Sequence, residues 1–508
     1  MAETKLTDRN HETENSGRIL RAFFLIGSSQ MLMILIRLVR GKLMAFLLGT
    51  SGFGLFSVFG SIEQMAEDVA GMGVSSSGAR QIAAARGTGN AEKIARVAVV
   101  VRRFAWLLGS AGALGLWFLA GPLSKLTFGG MQQSWAIALL SLAVLLQIIS
   151  YGQDAVILGM AKAAEFSHWE AMAFLFSTLV TLPVIYFYRE RGVVPSLVIF
   201  AAISVLTSAL YRRKIPLQQV KVNWREVWEE SSLLMQLGVI LMLSSLLQSG
   251  LAYLVRALIL RRAGQDAAGL YQSAWTLGGM YVGFVIKAMA ADFYPRLTAA
   301  GNRDEDCNRM VNEQARIGLM LAGPGVLATL TFCPLILMIL YTAKFVAAVE
   351  VLRWISLGAL LQVVTWPMGY IAVARGMAKL YFWCELSCAI AYALLAVGCV
   401  PWFGLRGAGI AFLGYCIVHG VIYYPIARRV SKFRWTRDNV LGGALYLGVI
   451  VIVFSSFYLL PAWAATLLGA CSVLLGCLFS LHTLGKMVEW ERFPKTVRIL
   501  LQKMASER

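Results

Sequence analysis

Stretches of roughly twenty apolar residues, the length that crosses the hydrocarbon core of a bilayer, recur along almost the whole chain. They lie near residues 19–39, 52–72, 104–121, 135–158, 170–188, 194–211, 233–255, 269–291, 317–340, 349–374, 380–400, 405–427, 439–460 and 463–485, fourteen in all. A membrane barrel would need alternating strands of about ten residues, which these continuous runs are not. The expected fold class is therefore an all-α polytopic membrane protein. With 58% of its 508 residues hydrophobic and 14% charged, and a mean hydropathy of +0.68, the chain departs from the composition of soluble domains.

The chain also repeats itself. Ser28-Ser29 returns as Ser244-Ser245, and Leu38-Val39-Arg40 returns as Leu254-Val255-Arg256. Gly49 and Gly54-Leu55 are answered by Gly264 and Gly269-Leu270, and Arg80 with Ala83-Ala84 by Arg296 with Ala299-Ala300. Leu145-Leu146-Gln147 pairs with Leu360-Leu361-Gln362, and Gly159-Met160-Ala161-Lys162 with Gly376-Met377-Ala378-Lys379. Matches in constant order at an offset near 216 residues define an internal repeat of six spans. Six is even, so the two copies run in the same direction and relate by an axis along the membrane normal. The expected organisation is a tail over 1–18, a six-helix lobe over 19–211, a linker over 212–232, a second lobe over 233–428, two added helices over 429–485 and a tail over 486–508.

Basic residues give the orientation. Arg80, Arg86, Lys93, Arg96, Arg102 and Arg103 follow the second span, Arg212, Arg213, Lys214, Lys221 and Arg225 the sixth, and Arg428, Arg429, Lys432, Arg434 and Arg437 the twelfth. By the positive-inside rule these loops, and with them both termini, are expected in the cytoplasm. The net charge of +19 is dispersed over many short loops, so a nucleic-acid partner is not expected. Trp224 and Trp228 give the linker the look of a segment at the membrane surface, with a solvated connector as the equal alternative. No small-residue cleavage site follows the first apolar run, and no removable signal is expected.

Catalysis finds no foothold. Gly-rich phosphate loops, His-Glu-x-x-His and Gly-x-Ser-x-Gly are all lacking, and connections such as 189–193 and 459–462 are too short for an external catalytic domain. The expectation is a protein that is not an enzyme and needs no cofactor or metal. The eight cysteines, all at or after Cys307, show no Cys-x-x-Cys pair. Cys384 and Cys388 share a helix face, which points to packing. Gly109-x-x-Gly112-x-x-Gly115 and Gly279-x-x-x-Gly283 are expected at close helix contacts.

Ionisable residues inside spans are costly and mark function. Arg40 and Arg256 are equivalent in the repeat, at the external ends of the first helix of each lobe, where a pseudo-twofold arrangement would turn both toward a central cleft. With Arg37 and Lys42 they could hold an anion such as a diphosphate, since guanidinium groups grip phosphate in a fork. The alternative is that they snorkel to external headgroups. Glu63, Glu67 and Asp68 in the second span could bind a proton or sodium ion, or neutralise the arginines. Lys287, Asp292 and Asp154 lie toward the cytoplasmic side, where lining a cargo path and a structural role are both open. Gln147 and Gln362 suit an inter-helix hydrogen bond or a sugar contact, and Glu385 and His419 stand as isolated candidates.

Arg37-Leu-Val-Arg-Gly-Lys-Leu, Leu48-Gly49, Gly52-Phe-Gly-Leu-Phe56, Gly71-Met-Gly73 and Ser75-Ser-Ser-Gly-Ala-Arg80 together resemble the N-terminal signature of the Wzx-type oligosaccharide flippases, or O-antigen translocases. These belong to the superfamily of multidrug and toxin extruders and lipid II flippases. The resemblance is clearest over residues 30–105 and looser to about residue 430. It implies two six-helix bundles in a V, and alternating access that moves an undecaprenyl-diphosphate-linked oligosaccharide to the outer leaflet of a bacterial inner membrane. It also implies basic cavity residues, which Arg37, Arg40 and Arg256 fit by position, and a setting with a polysaccharide polymerase and a chain-length regulator as partners. Within the same superfamily a cation-coupled multidrug exporter or a lipid II flippase are alternatives. A polysaccharide polymerase or ligase would need an external loop that the sequence lacks, and a non-catalytic assembly scaffold is the remaining alternative.

Overall fold

The computed structural model describes the backbone of residues 2–301 and 303–487, and side chains from 35 to 485 except 163–164, 229–234, 236–237, 240, 281–282, 284–292, 295 and 302. Among the described residues there are thirteen α-helices, two 3₁₀ turns and no strand. The elements run α1 (Ala2–Gly71), α2 (Val74–Gly87), α3 (Ala91–Phe128), α4 (Ser134–Gly159), α5 (Ala163–Tyr188) and α6 (Val193–Arg213), then α7 (Trp224–Ala300), α8 (Asp304–Leu340), α9 (Val349–Ala374), α10 (Ala378–Phe403), α11 (Leu405–Ser431), α12 (Arg437–Leu459) and α13 (Ala462–Met487). This is the all-α fold that the apolar runs predict. With no water in a bilayer core, helices are the open-ended way to satisfy every backbone group.

Eleven uninterrupted helical stretches among the described residues are long and apolar enough to cross a membrane, against the fourteen spans expected. The difference has a physical cause. Residues 35–87, 165–213 and 241–280 each hold parts of two expected spans joined by a kink or a 3₁₀ turn in place of a loop. In α1 and α7 a single glycine turns the chain where a loop was expected: Gly49 at φ 67°, ψ −167° and Gly264 at φ 88°, ψ 178°. Both sit in backbone territory that only glycine occupies without strain. They are the same position in the repeat, 215 residues apart.

The repeat extends well beyond the matching words. α4 and α9 each span 26 residues in register at an offset of 215, and so do α5 and α10. Positive φ recurs at Ala161 and Gly376, and again at Arg189 and Gly404, each pair with that offset. Packing repeats too. Ser150 of α4 bonds Ser204 and Ser208 of α6, and at the equivalent places Thr365 of α9 meets His419 of α11 at 3.1 Å.

The chain packs as two compact units, residues 1–269 and 270–508. The first contains α1–α6 and the leading part of α7. Its interior is apolar, with Val58, Ile62, Ile82, Ile137, Leu140, Ile148 and Ile157 all sealed. Gly112 of α3 lets Ala70 of α1 approach closely, and Gly109 packs on Leu145 of α4. Gly115, Gly279 and Gly283 have open space where a Cβ would stand, so the close packing expected of them is not found; a small residue invites contact only where a neighbouring helix crosses. In the second unit Cys384 and Cys388 are buried in a cluster with Phe293, Val311, Met368 and Tyr423. The linker is without helix only over 214–223, since α7 starts at Trp224. Trp224 and Trp228 are exposed, and Arg103 both stacks on Trp224 and donates to the Val222 carbonyl.

Candidate functional site

Charge is concentrated inside the first unit. Arg40, in the first segment of α1, is 7% exposed. Its guanidinium carbon lies 5.0 Å from the ring centre of Phe174 on α5 and 5.4 Å from that of Phe200 on α6. Two aromatic faces replace part of the hydration that burial removes. The rest of the compensation is Glu63, which acts electrostatically on Arg40 from beyond the kink in the same helix. The bend at Gly49 makes this possible, because it returns the second segment of α1 past the first.

Glu63 and Glu67 are buried one turn apart on α1. The phenol of Tyr151, from α4, donates to Glu67 Oε2 at 2.7 Å. Asp68, next along the helix, is half-buried and accepts from the Gln64 amide at 3.4 Å. Asp154, five residues before the end of α4, is 4% exposed, with Oδ1 sealed and without a hydrogen-bond partner among the described residues. The first unit thus buries one guanidinium, Arg40, and three carboxyl groups, Glu63, Glu67 and Asp154, of which Glu63 acts on Arg40. Ionisation of all four would leave two negative charges uncompensated in low dielectric.

Arg37 shares the Phe174 ring with Arg40, its guanidinium carbon at 5.5 Å, and pairs with Glu170 of α5 at 3.6 Å. Arg256 donates from Nε to Ser57 Oγ at 3.0 Å and from a terminal nitrogen to the Ala252 carbonyl at 3.1 Å. The two repeat-equivalent arginines therefore both reach the second segment of α1. Ser57 and Glu63 are six residues apart, about 9 Å along the axis and about 120° around it, so each arginine takes a separate face. Lys42 is exposed. Gln147 Oε1 is sealed, without a hydrogen-bond partner among the described residues. Gln362 is half-buried on α9. The side chains of Lys287 and Asp292 lie outside the described residues.

A second constellation in this unit ties α1 to α7. Thr50 bonds the Asp266 carboxylate, and Ser51 donates to Gln265 Oε1 at 2.8 Å or to Glu190 at 3.1 Å. Beneath them the helices cross backbone to backbone. A Cβ on Gly54 would strike the Gln265 carbonyl, and one on Gly269 the Thr50 carbonyl. Gly54 and Gly269 are equivalent in the repeat, as are Thr50 and Gln265, so the crossing is self-complementary in the way of a twofold interface.

Sequence reasoning did not place Glu170, Glu190, Gln265 and Asp266. The register itself holds the missing signal for Glu170: it precedes Glu385 by 215 residues, at the eighth position of α5 and of α10 respectively.

Long kinked helices in a repeated arrangement, apolar enough to cross a membrane and carrying a buried arginine and buried carboxylates, define a multi-pass membrane protein. The chain belongs to the polysaccharide biosynthesis protein family, whose model matches residues 19–300. It is 24% identical over 398 residues to a lipid III flippase of Escherichia coli (strain K12), a match that covers 75% of this chain and 91% of that one. Among solved structures, its fold is similar to the lipid II flippase MurJ in an inward closed conformation, with TM-score 0.68, 14% identity, and coverage of 91% of this chain and 99% of that one. It is also similar to an inward-facing multidrug resistance MATE family transporter of the MOP superfamily, with TM-score 0.66, 15% identity, and coverage of 78% and 94%.

Proposed function

We propose that this protein is a flippase that carries an undecaprenyl-diphosphate-linked oligosaccharide, an O-antigen, capsule or exopolysaccharide repeat unit, from the cytoplasmic to the outer leaflet of a bacterial inner membrane. The observation that carries the reading is Arg40, a guanidinium retained inside a membrane-spanning helix between two aromatic faces. A diphosphate entering hydrocarbon pays a large desolvation cost, which fixed cations in a polar cleft offset. Arg37, Arg40 and Arg256 supply such cations, while the prenyl tail stays in lipid. Membership of a polysaccharide biosynthesis family, and a relative named as a lipid III flippase, support a lipid-linked cargo.

Glu63 and Glu67 are the groups for a coupling proton or sodium ion: whichever cation neutralises them also sets how strongly Arg40 is held, and so how readily it engages an anion. The test is translocation of the lipid-linked oligosaccharide in proteoliposomes, comparing the unaltered protein with Arg40→Gln and Arg256→Gln at equal folded amounts. Loss of flipping of roughly tenfold or more, about 1.4 kcal/mol on the barrier, is expected for both. Full activity of both variants overturns the anion-binding role.

A further inference from the structure

Glu170 and Glu385 are the same carboxylate in the two copies of the repeat, each at the eighth residue of its 26-residue helix. Their surroundings differ. Glu170 has a cation, Arg37, at 3.6 Å. Glu385 instead accepts a 2.6 Å hydrogen bond from the phenol of Tyr423 on α11. The other titratable groups acting with it are Tyr370 on α9, Tyr381, Cys384 and Cys388 on its own helix, and Tyr415 on α11. No lysine or arginine among the described residues acts on it. His419, one turn from Tyr423, lies with its ring centre 4.4 Å from the phenol ring centre and meets Thr365 through Nδ1 at 3.1 Å.

A carboxylate within a span, with tyrosines and cysteines around it and no cation among the described residues, reaches neutrality by taking up a positive species. No group of three or more His, Cys, Asp or Glu side chains among the described residues is arranged to hold a metal ion. A single carboxyl with a phenol donor on one oxygen keeps the other oxygen for one proton. Seven residues from the start of α10, Glu385 is about 10 Å in from that helix end, within reach of the cytoplasmic water that the expected topology places there.

We propose that Glu385, oriented by Tyr423, is a proton-binding site of the second unit, distinct from the Arg40 cluster. As a coupling site it rests on the transport reading above; as a proton site it does not.

The two are separated by measuring protonation directly. Infrared difference spectra of the purified protein in lipid nanodiscs, between about pH 5 and about pH 9, report the carbonyl stretch of protonated carboxyl groups without any cargo. The expected result is that Glu385→Gln removes one such band, that Tyr423→Phe shifts the frequency of the same band, and that Glu170→Gln leaves it in place. An unchanged band in Glu385→Gln overturns the proposal, as does a band that follows sodium concentration at constant pH. Should Glu385→Gln melt far below the unaltered protein, the Tyr423→Phe shift decides alone. In proteoliposomes, flipping driven by an imposed pH gradient should fall roughly tenfold or more in Glu385→Gln while flipping driven by voltage persists. Absence of flipping in the unaltered protein would refute the transport reading and leave the infrared result standing.

Discussion

The hydrogen bond from Tyr151 to Glu67 joins α4 to α1 at the centre of the acidic cluster. Tyr151→Phe keeps the ring and its packing but leaves a buried carboxyl without its donor, a loss on the order of 1–3 kcal/mol. Thermal melting of the detergent-purified variant should show the destabilisation, and melting identical to the unaltered protein would mean that the bond contributes nothing net. The reverse lesson applies to Arg40, whose aromatic partners Phe174 and Phe200 come from helices far along the chain. Sequence singled out Arg40, Glu63 and Glu67 because charge within an apolar run is visible as such. It could not supply the rings or Tyr151, because those depend on which helix faces meet. Ser57 as the partner of Arg256, 199 residues away, is hidden for the same reason.

Among the elements, α1 and α7 are the pair on which the first unit turns. Gly49 and Gly264 hold backbone angles in which any other residue is strained by about 1–3 kcal/mol. Neither has a neighbour within 4 Å of a built Cβ, so alanine at these sites tests conformation alone. Gly54 and Gly269 are the opposite case, with ordinary helical backbone and no room. Gly49→Ala and Gly264→Ala should each lower stability through strain, whereas Gly269→Ala should separate α1 from α7. The distinguishing measurement is spin-label or fluorescence distance between positions on the two helices flanking the crossing. It should lengthen for Gly269→Ala and hold for Gly264→Ala; an unchanged distance in Gly269→Ala would refute the close crossing. The glycines themselves were legible as repeat words, but their two roles were not. A glycine needed for its φ and a glycine needed for its missing Cβ look alike in sequence, and the expected break between two spans became a kink because one residue suffices to redirect a helix.

For the whole molecule, charge placement bears on the direction in which the proposed cargo would move. By the positive-inside rule the basic loops after the second, sixth and twelfth expected spans are expected in the cytoplasm. That side is electrically negative in a living bacterium, so an anion released outward moves down the field. Two negative charges crossing the full field at 100 mV would gain about 4–5 kcal/mol, enough to favour the outer leaflet more than a thousandfold at equilibrium. If the flippase reading is right, voltage and the proton site at Glu385 are separable drives acting on one cycle. A potassium diffusion potential that makes the cytoplasmic-face side of oriented vesicles negative should drive outward flipping at symmetric pH and sodium. Collapsing that potential while the ion gradients stay fixed should slow it, and the slowing should be larger for a diphosphate-linked cargo than for one carrying a single charge. Flipping insensitive to voltage would mean that the cargo's charge crosses already neutralised, which places a compensating proton or arginine in the moving cavity and returns the search to Glu63, Glu67 and Arg40.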